Sequence, residues 1–210
     1  MYMCCNVKTY FIMGSVNCVR DPLVVLEEAL AAGITMFQLR EKGDGAKTGE
    51  QYVAFAKACQ HLCARYAVPF IVNDDVALAV ALDADGVHVG QDDASIQAYR
   101  RAHPQKIVGV SVHNVAEFER AIDDGANYVG IGPIFETTSK LDAKPPSIAF
   151  LREARRAYPN FPIVAIGGIT TENCSVVRAA GADGVAVIRD IAMNENVAQT
   201  VEKFNMSSIG

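Results

Sequence analysis

The feature that most constrains this chain is a regular alternation of short apolar runs and helix-like segments along its whole length. The first apolar run is Lys8–Met13, the last is Gly184–Ile188, and a segment with helical periodicity follows each run. Eight such units succeed one another, about 25 residues apart, which leaves room for short connections. An alternation of this kind predicts a parallel β-sheet covered by α-helices.

Local signals mark where the predicted helices begin and end. Asp21-Pro22 places an acid at a helix cap and proline in the first turn, and Asn114 is a second predicted cap. A last helix is predicted to occupy much of Ile191–Asn205. Four joints between a helix and the next strand are alike and contain glycine, which suits a left-handed helix terminus: Ala32–Thr35, Asp83–Gly86, Asp124–Asn127 and Ala180–Asp183.

The number of units predicts closure of the sheet into a (β/α)8 TIM barrel, an α/β fold in which residues 1–210 form one domain. The alternative is an open, doubly wound sheet. That fold is disfavoured because Met13–Val16 follows the first strand, where a dinucleotide-binding fold would place its Gly-x-Gly-x-x-Gly turn.

Charge and composition exclude several classes of protein. The net charge of −5 argues against a nucleic-acid partner that is bound through a general positive field. No apolar run approaches the ~20 residues that span a bilayer, and the first residues lack a signal-peptide pattern, so we expect a cytoplasmic protein without a membrane partner. Cys59 and Cys63 are interpreted as reduced residues, since the sequence has no Cys-x-x-Cys pair. Formation of a homo-oligomer is left open.

Acidic residues follow two consecutive predicted strands, at the end where barrels of this kind carry their function. Asn73–Asp75 follows the third strand and Gln91–Asp93 follows the fourth. Because parallel strands bring these ends to one edge, we expect Asp74 and Asp93 to bind magnesium together with the phosphates of a ligand. The alternative is that Asp74 and Asp92 merely cap the helices that follow them.

A basic set stands at the end of the second strand. By the two-residue period of a strand, Gln38, Arg40 and Lys42 share one face. The planar fork of arginine and the compact charge of lysine suit a diphosphate. The alternative is a solvated loop in which Arg40 pairs with Glu41, or Lys42 with Asp44.

Three later segments suggest phosphate binding. The loop Gly132–Lys144 is long for a passive connection and is rich in hydroxyl side chains. Gly167-Gly168 and Ile188-Arg189 follow strands seven and eight, where TIM barrels often hold a phosphate through backbone N–H groups. The alternatives are a surface loop and a simple tight turn.

Two histidines lie near strand ends. His113, two residues after Ser111, is a candidate for proton transfer, although a structural hydrogen bond is the simpler reading. His88 is expected to pack inside the mouth of the barrel. Spacing alone assigns no Ser-His-Asp triad.

Taken in order, seven motifs resemble those of the thiamine phosphate synthase (thiamine-phosphate pyrophosphorylase) family. They are Gln38–Lys42, Val72–Asp75, Ala84–Asp93, Gly109–Ser111, Gly130–Phe135 with Thr137–Lys140, Ile166–Ile169 and Gly181–Val187. The resemblance implies condensation of 4-amino-2-methyl-5-hydroxymethylpyrimidine diphosphate with a thiazole phosphate, carboxylated or not. The products would be thiamine phosphate and diphosphate.

The resemblance also implies a role for each matching residue. Magnesium would be held by Asp74 and Asp93. The residues that would bind the pyrimidine diphosphate are Gln38, Arg40, Lys42, Asn73, Ser111 and Lys140. Those that would hold the thiazole phosphate are Thr137, Ser139, Gly168 and the backbone at Ile188 and Arg189. The catalytic set would be Arg40, Lys42, Ser111 and Lys140.

The chain departs from the family pattern at two places. Arg189-Asp190 stands where many members have Ser-Ala, and Ser139 stands where Thr is common. Arg189 either contacts phosphate or pairs with Asp190. The alternative functions are a thiazole tautomerase of the same superfamily, which uses a histidine for proton transfer, and a non-catalytic barrel that binds phosphorylated ligands.

Overall fold

The computed structural model describes residues 6–91, 96–136 and 148–207. Strands form at the apolar runs. Within the described residues they are β1 Thr9–Met13, β2 Met36–Leu39, β3 Phe70–Asn73, β4 Gly86–Val89, β5 Ile107–Val112, β6 Tyr128–Ile131, β7 Ile163–Ile166 and β8 Gly184–Val187. The helices there are α1 Pro22–Ala31, α2 Gly49–Arg65, α3 Val76–Ala81, α4 Ile96–Ala102, α5 Val115–Asp123, α6 Ile148–Ala157, α7 Cys174–Ala179, α8 Arg189–Ala192 and α9 Val197–Met206.

The strands form a closed parallel barrel in which each strand pairs with its neighbours in sequence. The barrel closes where Tyr10 of β1 pairs with Met36 of β2 on one side and with Ala186 of β8 on the other. This confirms the predicted (β/α)8 architecture. Closure leaves no sheet edge, and the carboxyl ends of all the strands meet at one mouth.

Alternating residues of each strand pack into two separate cores. Outward-facing residues such as Phe37 and Val129 pack beneath the helices, while Tyr10, Ile71 and Tyr128 fill the inside of the barrel. Both faces of a strand are therefore buried, which explains why the strands read as continuous apolar runs.

The four helix-to-strand joints are similar because each places a hydrogen-bond acceptor at the same position. The residue before an even-numbered strand accepts a hydrogen bond from a backbone N–H near the start of the preceding strand. The pairs are Thr35 Oγ1 with Thr9 N at 3.0 Å, Asp85 Oδ2 with Phe70 N at 2.8 Å, Asn127 Oδ1 with Val108 N at 2.8 Å, and Asp183 Oδ2 with Ile163 N at 2.7 Å. These bonds satisfy backbone donors at the amino-terminal end of the barrel.

Two arginines reinforce the joints in the second half of the barrel. Arg100 of α4 donates to Asn127 Oδ1 and to the Gly125 carbonyl at 3.0 Å. Arg155 of α6 makes the equivalent contacts with Asp183 and with the Gly181 carbonyl, the latter at 2.7 Å. Arg100 therefore connects α4 to the joint before β6, and Arg155 connects α6 to the joint before β8.

We expect Asn127→Ala to lower the free energy of unfolding by about 1–3 kcal/mol, because it leaves the buried Val108 N–H without its acceptor. Urea unfolding followed by circular dichroism measures the change. Asn160, in an exposed turn, provides the matched control. Equal stability of Asn127→Ala and Asn160→Ala would contradict the structural role of this joint.

Several local predictions are confirmed. Asp21 and Asn114 cap α1 and α5, and Cys59 and Cys63 are free and buried. The last helix predicted over much of Ile191–Asn205 is confirmed as α9, and the separate short helix α8 precedes it. A side-chain cap forms at Asn196, whose Oδ1 accepts from the Gln199 N–H at 3.1 Å and starts α9. Among the described residues, no helix has both the length and the apolar content needed to cross a membrane.

Candidate active site

A cavity of about 640 Å3 opens at the carboxyl-terminal mouth of the barrel. Seven of the residues predicted from sequence to bind a ligand line this cavity: Gln38, Arg40, Asn73, Ser111, Gly168, Ile188 and Arg189. Its remaining wall includes apolar side chains, among them Ile12, Ile169 and Met193. A mostly apolar pocket with a few converging polar groups is typical of a small-molecule site.

The alternative in which Arg40 pairs with Glu41 does not hold. The Glu41 carboxylate instead accepts from Ser15 N at 2.6 Å, from Ser15 Oγ at 2.5 Å and from Lys47 N at 2.7 Å. Glu41 thus holds the loops after β1 and β2 together. Arg40 makes no ion pair within the described part of the chain, and its guanidinium group is left to the cavity.

The alternative in which Lys42 pairs with Asp44 does not hold either. The Lys42 ammonium group pairs with Asp74, in the loop after the neighbouring strand β3, rather than with Asp44. Asp74 Oδ2 further accepts from Asn73 Nδ2 at 2.7 Å, and the Asp74 side chain is 25 % exposed. The Asp74 carboxylate is therefore held by two donors, next to Asn73 of the cavity wall.

Asp74 and Asp75 are distinguished by their backbone and their partners. Asp75 Oδ1 accepts from Leu78 N at 2.9 Å and caps α3, so the capping alternative applies to Asp75 and not to Asp74. Asp74 has φ of 59°, in the left-handed region that aspartate tolerates better than most residues. Non-glycine residues in this region are concentrated at functional sites.

The residues around Asp74 fit a hard cation in part. Burial, followed by the charges of Asp75, Glu41 and Asp74, raises the pKa of Tyr52 to about 12, which indicates a negative potential at this edge. Carboxylate oxygens are the ligands that magnesium prefers. Within residues 6–91, 96–136 and 148–207, no three acidic, histidine or cysteine side chains cluster closely enough to hold a metal by themselves. A cation at Asp74 would therefore need further ligands, such as ligand phosphates.

The opposite side of the mouth is built from the loops after β7 and β8. Gly168 has φ of 64°, and a Cβ there would lie 2.6 Å from the Glu136 carbonyl oxygen and 2.7 Å from Phe135 Cβ. Asp190 Oδ2 accepts from Thr171 N at 2.9 Å, which ties the start of α8 to the loop after β7. The carboxylate of Asp190 thus braces the two loops that sequence reasoning assigned to phosphate.

Polar side chains form a series beneath the cavity, and the sequence predicted only part of it. His88 lies inside the mouth, as predicted, and is 8 % exposed. Its ring nitrogens contact Tyr128 Oη and Ser111 Oγ, each at 3.0 Å. The two tyrosines, Tyr10 and Tyr128, were missed because a tyrosine within an apolar strand reads as ordinary core. The parity of Tyr10, Gln38 and His88 on their strands is the signal that points to the interior.

The remaining predicted residues are not all brought to the cavity. Asp93, Thr137, Ser139 and Lys140 lie outside the described residues. His113 is exposed, and its Nδ1 lies 2.9 Å from Glu117 Oε2, one turn along α5. His113 is not among the residues that line the cavity, so the proton-transfer role of a tautomerase finds no support there.

The sequence is similar to one family of known proteins. The family model described as "Thiamine monophosphate synthase" matches residues 9–191. The thiamine-phosphate synthase of Lysinibacillus sphaericus (strain C3-41) is 58% identical over 201 residues, covering 95% of this chain and 94% of the relative. That of Bacillus cereus (strain B4264) is 54% identical over 200 residues, covering 93% and 90%.

A solved structure agrees with these sequence matches. The thiamine phosphate pyrophosphorylase from Pyrococcus furiosus superposes with a TM-score of 0.87 at 31% identity, covering 98% of each chain. Both the fold and the sequence therefore point to one family over nearly the whole chain.

Proposed function

Because the chain belongs to the thiamine monophosphate synthase family and is a transferase of thiamine biosynthesis, we propose that its barrel mouth joins the two substrates by a dissociative mechanism. The pyrimidine diphosphate loses diphosphate as the bond between the methylene carbon and oxygen breaks, and the electron pair leaves with that oxygen. The aminopyrimidine ring delocalises the resulting cation. The thiazole nitrogen then attacks the methylene carbon and forms the new C–N bond.

The observation that carries this proposal is the common cavity lined by Gln38, Arg40, Asn73 and Ser111. Gln38, Asn73 and Ser111 supply hydrogen bonds that hold and orient the pyrimidine diphosphate, while Arg40 and Lys42 face the charge that develops on the leaving group. Lys140 adds a third positive charge. Preorganised charges of this kind stabilise a transition state more effectively than water does.

We propose that Asp74 and Asp93 hold magnesium at the rim. When bound, magnesium would neutralise negative charge on the departing diphosphate. Asp74 is oriented for such a role by Lys42 and Asn73, and Lys42 is near enough to Asp74 to engage the same diphosphate. Little acid–base chemistry is required, which agrees with the absence of a predicted triad.

The thiazole phosphate is proposed to bind on the opposite side of the mouth. Backbone N–H groups of Gly168, Ile188 and Arg189 would hold the phosphate, with Thr137 and Ser139 adding hydroxyl donors. This is the side of a TIM barrel that most often binds phosphate. The apolar side chains of Ile169 and Met193 offer a surface for the thiazole ring.

The activity test uses the full chain with both substrates. We expect thiamine phosphate and diphosphate in equal amounts when magnesium is present, and almost none when EDTA removes it. No product with magnesium would contradict the function itself. Equal rates with and without magnesium would contradict only the proposed metal.

We expect Gly168→Ala to raise the KM for the thiazole phosphate about tenfold, because the added Cβ cannot be placed without moving the loop after β6. The KM for the pyrimidine diphosphate should change little. Gly49→Ala is the matched control, since Gly49 also has a positive φ, of 52°, but has no atom near the added Cβ. An unchanged thiazole KM in Gly168→Ala would place the phosphate elsewhere.

A further inference from the structure

Five side chains form one continuous hydrogen-bonded series inside the barrel, with both ends at the cavity. Gln38 Nε2 donates to Tyr10 Oη at 2.7 Å, and the Tyr10 and Tyr128 hydroxyl oxygens lie 2.8 Å apart. Tyr128 Oη is 3.0 Å from His88 Nδ1, and His88 Nε2 is 3.0 Å from Ser111 Oγ. The series therefore joins Gln38 on β2 to Ser111 on β5 through the floor of the site.

The interior is shaped to hold this series in one place. Tyr10 and Tyr128 are 1% and 0% exposed, and Gln38 is 1% exposed. In the strand register, Gly109 of β5 lies between His88 and Tyr128. A Cβ on Gly109 would lie 2.1 Å from Tyr128 Cζ and 2.6 Å from His88 Nδ1. Only glycine leaves room for both rings at this point.

One order of the hydrogen bonds is consistent with the donor at Gln38. The amide N–H donates to Tyr10, so a consistent order has Tyr10 O–H donating to Tyr128 and Tyr128 O–H donating to His88 Nδ1. The imidazole then carries its proton on Nε2 and donates to Ser111 Oγ. In this order Ser111 Oγ accepts a hydrogen bond from His88, and the hydrogen of Ser111 donates toward the cavity.

We propose that Tyr10, Tyr128 and His88 are positioning residues that fix the Nε2–H tautomer of His88 and thereby make Ser111 a hydrogen-bond donor toward the substrate. A hydroxyl hydrogen is otherwise free to rotate, and a neutral imidazole is otherwise free to exchange tautomers. The buried series removes both freedoms before the substrate arrives. This inference rests on the proposed role of Ser111 in binding the pyrimidine diphosphate.

The tautomer is tested without reference to activity. Long-range proton–nitrogen correlation spectra of protein labelled with 15N-histidine distinguish a protonated ring nitrogen from a bare one, and the chain has 4 histidines to assign. We expect His88 to show a bare Nδ1 and a protonated Nε2. In Tyr128→Phe, which removes the hydroxyl but keeps the ring, we expect a mixture of tautomers. A protonated Nδ1 in the unaltered chain would overturn the proposed direction.

The link to Ser111 is tested by a double-mutant cycle. We expect Tyr128→Phe to lower kcat about tenfold in the unaltered chain and to have no further effect when Ser111→Ala is already present. If kcat of the double variant falls by the product of the two single losses, Tyr128 acts independently of Ser111 and the proposal is overturned. An unchanged kcat in Tyr128→Phe would also overturn it. Wild-type activity in Ser111→Ala would instead remove the role of Ser111 on which the inference rests.

Two further variants separate positioning from general damage to the core. Tyr99→Phe removes a hydroxyl from a buried tyrosine of α4, outside the barrel interior, and should leave kcat unchanged. His88→Gln keeps a side-chain N–H donor for Ser111, whereas His88→Leu does not. Recovery of kcat in His88→Gln relative to His88→Leu supports the donor role, while equal losses in two folded variants would contradict it.

Discussion

We expect Asp74→Asn to lower kcat/KM about a hundredfold or more, the largest effect of any single conservative change at the rim. Asparagine keeps the shape of the side chain and tolerates the left-handed backbone of residue 74, where φ is 59°, so the fold should be preserved. What is lost is the negative charge that pairs with Lys42 and that we propose binds magnesium. Steady-state kinetics at several magnesium concentrations measure the loss.

Asp75→Asn is the matched control for this prediction. Asp75 carries the same charge one residue further along the chain, but its side chain caps α3 through Leu78 N. Asparagine is an equally good cap, so we expect nearly normal kcat/KM in Asp75→Asn. Equal losses in the two variants would show that the local charge matters and the position of Asp74 does not.

Arg40→Ala should lower kcat/KM by about 10²–10³, because it removes a preorganised charge that faces the leaving diphosphate. Arg40 makes no ion pair among the residues that the structure describes, so its removal uncovers no buried carboxylate in that part of the chain. The loss should therefore appear in catalysis and not in stability. Thermal unfolding and steady-state kinetics measured on the same sample separate the two effects.

Arg40→Lys and Arg152→Ala define what the arginine contributes. Lysine keeps the charge but loses the planar fork, so Arg40→Lys should fall between the unaltered chain and Arg40→Ala. Arg152 is an exposed residue of α6, and its replacement should change neither rate nor stability. Full activity in Arg40→Ala would exclude direct contact between Arg40 and the diphosphate.

Much of the fold was predictable because strands and helices leave periodic patterns. Each strand of a closed parallel barrel is buried on both faces, so apolar runs marked the strands to within about two residues. The start of α9 was not predicted, because it depends on a side-chain cap at Asn196 in a polar stretch without a strong period. The sequence showed that four joints are alike, but it did not show their shared hydrogen bond to the preceding strand. The accepting residues are Thr35, Asp85, Asn127 and Asp183.

The sequence predicted which residues lie in the candidate site better than it predicted the contacts between them. Strand parity placed Gln38, Arg40 and Ser111 at one mouth, and the structure brings them to one cavity. It did not indicate that Glu41 would join its loop to the loop of Ser15, nor that Lys42 would reach Asp74. Such pairings join residues that are far apart in sequence, so no local pattern records them.

By itself, the sequence determined the eight strand–helix units, their order and the end of the barrel that carries the polar residues. These properties follow from local periodicity and from the right-handed connection of parallel strands. Only the tertiary structure decided that Asp74 pairs with Lys42 while Asp75 caps a helix, and that Tyr10, Tyr128 and His88 link Gln38 to Ser111. Barrel closure brings together side chains from five strands, and hydrogen bonds over such distances depend on the strand register of the whole barrel rather than on neighbours in the chain.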